Sequence, residues 1–391
     1  MLGYRSVKKQ DRARPFVAAV AAVALVAAAC GDDDATDTTA AATTEAPTES
    51  TEPAVGDTVA TNPPETTDEA DTTASTDDTA DTSADDGGDA GDAASATIVI
   101  TDVVGEQEVP VTDQGIYALD ELMGTLLLTL GVEPVTTAAF FQDPLLAPVL
   151  LSDRTELVEF GAVESIAATD PDLILGVGHP NFIEIIDSLQ GVAPTVLPDF
   201  NSSWQDQTML ISEVVGREAE AEALVATLEG RIADLAAEIE QAGLTGTEVS
   251  IVQNFGPDWF SYGPSIASSA VLAELGFTRS EAQSSDDNFG FPQLSEEIIP
   301  DETSSPFVFG VATTSPDGTV IGTVTDNPIV GGPDSVVTDV SEAWFNNSVL
   351  GIWIVLDDIE AVVFGRGEVT QNDGAGAAFA DLIAATEANG S

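Results

Sequence analysis

The stretch "LVATLEGRIADLAAEIE" (224–240) places Leu224, Leu228, Ile232, Leu235 and Ile239 at spacings of 4, 4, 3 and 4, one face of a helix. The helical pattern begins near Trp204, contains nothing that reads as a strand, and stops at Gly243. On both sides of it short apolar strands alternate with helices. Upstream, "TIVITDVVGEQEVPV" (97–111) predicts a β-hairpin around Gly105, "ALDELMGTLLLTLGVEPV" (118–135) a helix stopped at Gly131, and "VESIAATDPDLILGVG" (163–178) a short helix, a proline turn and a buried strand. "FIEIIDSLQGVAPTVLP" (182–198) repeats helix, glycine stop and strand. Downstream, "EVSIVQNF" (248–255), "SPFVFGV" (305–311) and "SVVTDV" (335–340) predict strands, with helices over 265–277 and, closing the chain, 347–363. The expected fold class is α/β: two α/β lobes with central, mainly parallel sheets, joined by a single long connecting helix. The boundaries drawn are 96–203 for the N-terminal lobe, 204–243 for the connecting helix and 244–391 for the C-terminal lobe.

Ahead of the lobes the composition changes twice. Arg5, Lys8, Lys9, Arg12 and Arg14 precede the wholly apolar run FVAAVAAVALVAAA (16–29), which ends at Cys30, the chain's one cysteine. A basic head, an apolar run and small residues make a secretory signal, and the run is shorter than the roughly 20 residues of a spanning helix. "VAAAC" is similar to a bacterial lipobox, so residues 1–29 are expected to be removed and Cys30 to become the lipidated N-terminus. One acyl chain holds a protein marginally and two or more hold it stably. A lone cysteine permits no disulfide framework. Residues 31–95 are nearly all Asp, Glu, Thr, Ala, Ser, Gly and Pro, so 30–95 is expected to be a lipid-anchored acidic tether with no core of its own, reaching roughly 40–50 Å as a coil.

The formal net charge is −58, and after the signal the cations are Arg154, Arg217, Arg231, Arg279 and Arg366, with no lysine. Nucleic acid, which needs many cationic phosphate contacts, is excluded as a partner. Anionic lipid would repel the body of the protein, so membrane attachment falls to the N-terminal lipid alone.

This order of segments resembles the class III solute-binding proteins of ABC importers, which carry ferric siderophores, haem and vitamin B12. "TDVVGEQEVPV" resembles their opening hairpin, "ALDELMGTLLLTLGVEPV" their first helix, and "VESIAATDPDLILG" their Leu-Glu-Ala-Ile-Ala-Ala-Leu-Lys-Pro-Asp-Leu-Ile segment. "YGPSIASSAVLAELGF", "LSEEII" and "EAWFNNSVLGIWIVLDDI" resemble segments of the second lobe. The sequence departs from the pattern at "QGIYAL", where Gln114 or Gly115 stands in place of a frequent cation. The resemblance implies an extracytoplasmic lipoprotein, anchored to the outer face of the bacterial cytoplasmic membrane, that captures a ferric siderophore between its lobes and hands it to permease subunits. It also implies docking through one Glu per lobe: Glu164 in "VESIAA" and Glu297 in "LSEEII", with Glu296 beside the latter. A monomer is expected.

Ligands of open α/β sheets lie beyond the carboxyl ends of the strands. The loops there carry His179, Phe200, Trp204, Trp259, Phe260, Tyr262 and Trp344. Of these, Trp259, Tyr262, Trp344, His179 and Trp204 are the candidate ligand contacts, a partly apolar set. Arg154, Arg279 and Arg366 fall in loops or turns and are candidate polar contacts; Arg217 and Arg231 lie on the connecting helix. So few cations favour a neutral or cationic hydroxamate complex over a strongly anionic tris-catecholate. One histidine makes no bare-metal site, so no metal centre and no cofactor are expected, the iron arriving already chelated. The chain has no G-x-S-x-G elbow, and no catalytic residue is assigned; an enzyme is not expected. Haem or vitamin B12 binding, and a surface receptor or sensor domain of the same fold, are the alternatives; a lipoprotein hydrolase is the more distant one.

Overall fold

The computed structural model describes residues 96–141, 145–150, 155–314 and 320–389. Gly87–Ser391 forms one compact unit. The signal, Cys30, the tether and Arg154 lie outside the described residues.

The chain opens with an antiparallel hairpin, β1 (Thr97–Asp102) and β2 (Gly105–Pro110), turning at Gly105 as expected. The first lobe follows as β3 (Ile116–Ala118), α1 (Glu121–Thr129), β4 (Thr136–Ala139), α2 (Leu146–Val149), β5 (Glu156–Glu159), α3 (Val163–Ala167), β6 (Leu173–Leu175), α4 (Pro180–Glu184), α5 (Ile186–Gln190) and β7 (Thr195–Val196). Its sheet has the order β5-β4-β3-β6-β7 and every pairing is parallel. The central strands β3 and β6 are buried along their whole length, as continuous apolar runs in a parallel sheet require.

The connecting segment is two helices rather than one. α6 (Trp204–Val215) starts where the Ser203 hydroxyl accepts the Asp206 N–H, and it stops at Gly216, whose φ of 65° is left-handed. α7 (Glu218–Gln241) then runs to the predicted stop at Gly243. A glycine at that position ends a helix without a Cβ penalty, and the apolar spacing alone did not reveal the break. All five apolar positions read from the sequence are buried on α7.

The second lobe contains β8 (Val249–Phe255), β9 (Asp258–Phe260), α8 (Ala267–Glu274), the short turn α9 (Asp287–Gly290), β10 (Gln293–Leu294), α10 (Ile299–Glu302), β11 (Phe307–Val311), β12 (Thr313–Thr314), β13 (Val320–Gly322), β14 (Val336–Val340), α11 (Val349–Phe364) and α12 (Ala375–Asn389). Its sheet has the order β10-β9-β8-β11-β14. β11 pairs in parallel with β8 and β14, while β9 pairs antiparallel with β8 and β10. The segment 254–263, read from the sequence as a loop, is therefore largely the turn and strand of a β8–β9 hairpin. Nor does α11 close the chain: α12 follows and packs against α7, α11 and the first lobe's α2. One hydrophobic core runs through both lobes and the connecting helices, and a second, smaller cluster lies within the C-terminal lobe.

Candidate functional site

All five parallel strands of the first lobe end on the same side, and four of them deliver aromatic side chains there. Phe140 and Phe141 follow β4, Phe160 follows β5, His179 follows β6 and Phe200 follows β7. Phe140 lies 4.9 Å from Phe141, 5.2 Å from Phe160 and 5.3 Å from His179, ring centre to ring centre, with Phe182 of α4 beneath at 4.5 Å. The first three contacts are edge-on, which suits rings whose faces are negative and edges positive, and the contact with Phe182 is tilted. Below them the buried Glu121 carboxylate accepts the Phe140 and Phe141 N–H groups at 3.0 and 2.9 Å, fixing the loop after β4. Asp120, at the end of β3, caps α1 through the Met123 N–H and accepts the Val177 N–H, which ties the first strand's end to the loop that carries His179. Burial raises the Asp120 carboxyl to about 7.

The second lobe meets this wall with Tyr262, Phe291 and Phe345. Phe291 stacks on Phe345 at 5.3 Å and stands edge-on to Tyr262 at 5.4 Å. Across the lobes Phe141 approaches Phe345 at 5.9 Å and Phe200 approaches Phe291 at 6.4 Å, while the Asn347 side-chain amide donates to the Phe200 carbonyl at 3.4 Å. Phe140, Phe141, Phe160, His179, Phe291 and Phe345 are half-buried, so each keeps some surface for a ligand.

The residues expected from the sequence divide into three groups. His179 stands in this wall; its Nδ1 accepts the Asn181 N–H at 3.3 Å, which leaves Nε2 to carry the proton of the neutral ring, and burial lowers its pKa. Tyr262 is in the cluster but fully buried: its hydroxyl donates to Gln253 Oε1 at 2.9 Å, and burial pushes its pKa well above the usual value. It supports the floor from beneath.

The three tryptophans belong to the core instead. Trp344 is 0% exposed, stacks on Phe309 at 4.4 Å and donates from Nε1 to Asp358 at 2.8 Å. Trp259 is 3% exposed and lies in the smaller cluster with Val252, Leu294, Ile299, Val308 and Val324. Trp204 is 2% exposed at the start of α6. The sequence pattern puts each in a loop next to the cleft; in the structure each is turned inward because the segment carrying it is a strand or a helix turn with an apolar side to fill.

The arginines are also committed elsewhere. Arg279 is enclosed and donates to the Tyr262 carbonyl, to Ser269 Oγ at 2.5 Å and to Ser261 Oγ at 2.7 Å; burial lowers its pKa to about 10. It braces the segment that carries Tyr262 and is not offered to the cleft. Arg366 pairs with Glu238 and Glu360 and lies over Phe364. Arg217 pairs with Asp113, and Arg231 pairs with Asp357 and lies over Trp353. Among the described residues, then, this inter-lobe cluster is aromatic and includes no arginine. The residues missing from the sequence reading are Phe140, Phe141, Phe160, Phe291 and Phe345, and for the first three a signal was present: an aromatic directly after a short strand, as in "TTAAFF" and "ELVEF".

Glu164 and Glu297 are both exposed, in the first turn of α3 and in the short turn Glu296–Ile298; Glu296 is exposed as well. Among the described residues no helix is long and apolar enough to cross a membrane, and no group of His, Cys, Asp and Glu could hold a metal ion.

Residues 126–315 match the family model of the periplasmic binding proteins. No curated protein sequence matches the chain significantly. Among solved structures it is similar to the FhuD protein from S. pseudintermedius (17% identity, 68% of this chain and 98% of that one, TM-score 0.57). It is also similar to Staphylococcus aureus SirA complexed with staphyloferrin B (22%, 68% and 99%, 0.56). The catecholate-siderophore binding protein VctP from Vibrio cholerae is a third such structure (18%, 68% and 100%, 0.54). At these identities the likeness is one of fold. The chain has the two-lobed α/β fold of these binding proteins, and residues 126–315 carry the sequence pattern of the periplasmic binding proteins.

Proposed function

We propose that the protein is a lipoprotein that captures a ferric siderophore in the aromatic cleft between its lobes and delivers it to the permease of an ABC importer. The observation that carries this reading is the continuous aromatic wall from Phe160 through Phe141 and Phe345 to Phe291, built by both lobes. A wall of ring faces without a described arginine suits a neutral or cationic chelate, with apolar surface and cation–π attraction supplying affinity; a hydroxamate complex is favoured over a tris-catecholate. With its Nδ1 engaged by the Asn181 N–H, His179 can offer Nε2 as a donor to a ligand oxygen; haem or vitamin B12 is the alternative ligand. Isothermal titration of ferrioxamine B, ferric enterobactin, haemin and cyanocobalamin tests the order: ferrioxamine B should bind most tightly, and a preference for the tris-catecholate overturns the charge argument.

Attachment is assigned to Cys30 and docking to Glu164 and Glu297, with the protein acting as a monomer. Cys30→Ala should release the protein to the medium or leave it unprocessed; a processed mutant that stays on membranes refutes the anchor. A homologous receptor domain without transport would bind the same ligands, and it is separated by uptake assays in cells lacking the protein.

A further inference from the structure

On the reading of the inter-lobe cleft as the ligand site, we propose that Phe289, an exposed ring two residues before Phe291, is a further ligand contact that covers the apolar face of a large chelate. Asn288 and Phe289 are consecutive non-glycine residues in the left-handed region, with φ of 54° and 59°, and Gly290 continues it at 87°. Side-chain-bearing residues avoid this region because Cβ crowds the following carbonyl oxygen, and two in succession persist only where neighbouring contacts impose them. Those contacts are present on both sides. Asp286 Oδ1 accepts the Ser265 N–H at 2.9 Å, the Gly263 N–H donates to the Gly290 carbonyl at 2.6 Å, and the Asn288 side-chain amide donates to the Phe291 carbonyl at 3.1 Å. A Cβ at Gly290 would stand 2.7 Å from Ser265 Oγ, so the turn is seated closely against the start of the α8 segment.

The turn's product is a phenylalanine 59% exposed to solvent, two residues before Phe291, whose ring stacks on Phe345 and reaches Phe200 of the opposite lobe. A large apolar side chain gains nothing for the folded state when it is left in water, and here the backbone is held in a disfavoured conformation to keep it there. Folding alone would select glycine at 289. A ligand that rises above the Phe291–Phe345 floor would give the ring its partner, and the chemistry of that partner is an aliphatic or aromatic face of a bulky complex, not an anionic group.

The test is Phe289→Gly, which removes the ring and relieves the backbone, measured on the full chain in detergent beside Phe345→Ala and Phe289→Tyr. Affinity for whichever of ferrioxamine B, ferric enterobactin and haemin the wild type holds is read by titration, and the Tm of the free protein by calorimetry. The expected result is a Kd raised roughly three- to tenfold in Phe289→Gly, a Tm unchanged or higher, and a Kd near wild type in Phe289→Tyr. If Phe345→Ala weakens binding while Phe289→Gly does not, the contact is refuted and the cleft stands. If neither variant changes the Kd, the cleft reading itself falls and this inference with it. A Tm that drops in Phe289→Gly together with affinity makes Phe289 a structural residue and overturns the proposal.

Discussion

The two lobes have sheets of five strands each, yet they supply the cleft in different ways. In the first lobe every pairing is parallel, so all strands end on one side, and the residues just past β4, β5, β6 and β7 reach the wall. In the second lobe the hairpin β8–β9 sends the chain back antiparallel, and β10 pairs on its outer side. Trp259, at the middle of β9, then faces the interior cluster, and the wall is supplied instead by Tyr262, Phe291 and Phe345 from later segments. A parallel lobe makes strand ends reliable pointers to a site; one antiparallel insertion is enough to turn the same pointer toward the core.

On the proposed function, the largest effect should come from the exposed glutamate that each lobe carries in a short helical turn. Glu164→Arg with Glu297→Arg should abolish uptake in cells while leaving ligand affinity intact, since rim charges govern encounter and register. Glu229→Arg with Glu240→Arg on α7 is the control. Equal damage from the control pair would reduce the docking assignment to bulk charge.

Next in size is the division between core tryptophans and cleft phenylalanines. Trp344→Ala should destabilise the protein by about 3–5 kcal/mol, the usual cost of truncating a buried aromatic, because it removes the stack on Phe309 and the donor to Asp358. Chemical denaturation measures it. Phe345→Ala, one residue on, should instead leave most of the stability and raise the ligand Kd roughly three- to tenfold. Should Trp344→Ala fold normally and lose only binding, the contrast drawn between the lobes is wrong.

The smallest effect is a pH dependence common to both lobes. Asp120 in the first lobe and Asp358 in the second are buried and raised to about 7 by that burial. Between the ordinary carboxylate pKa of about 4 and 7 the unfolded chain gives up these protons while the folded chain keeps them, so stability should fall as pH rises across that interval and level off above it. Asp358 accepts from Trp344 Nε1 and the Thr370 N–H, so Asp358→Asn can retain an acceptor. Denaturation midpoints from pH 4.5 to 8 should decline less steeply in Asp358→Asn than in the wild type; an equal slope would remove Asp358 as a cause.

The sequence by itself determined the hairpin at 97–110, the alternation of strands and helices in both lobes, and the apolar face of α7. These follow from local periodicity and from glycine and proline stops, which act within a turn or two of chain. It also carried the small number of cations, since Arg217, Arg231, Arg279 and Arg366 are countable without coordinates. Only the tertiary structure decided what those cations do. Arg279 is enclosed by Tyr262, Ser261 and Ser269, and Arg366 is paired with Glu238 across a long stretch of chain. The same holds for the aromatics. Whether a ring next to a strand end points to solvent, to a neighbouring lobe or into a core depends on strand direction and on what packs against it. Trp259 and Phe345 differ in that respect through the pairing of β9 with β8 and the approach of Phe141 from the other lobe. Those contacts join residues far apart in the chain, and no local pattern encodes them.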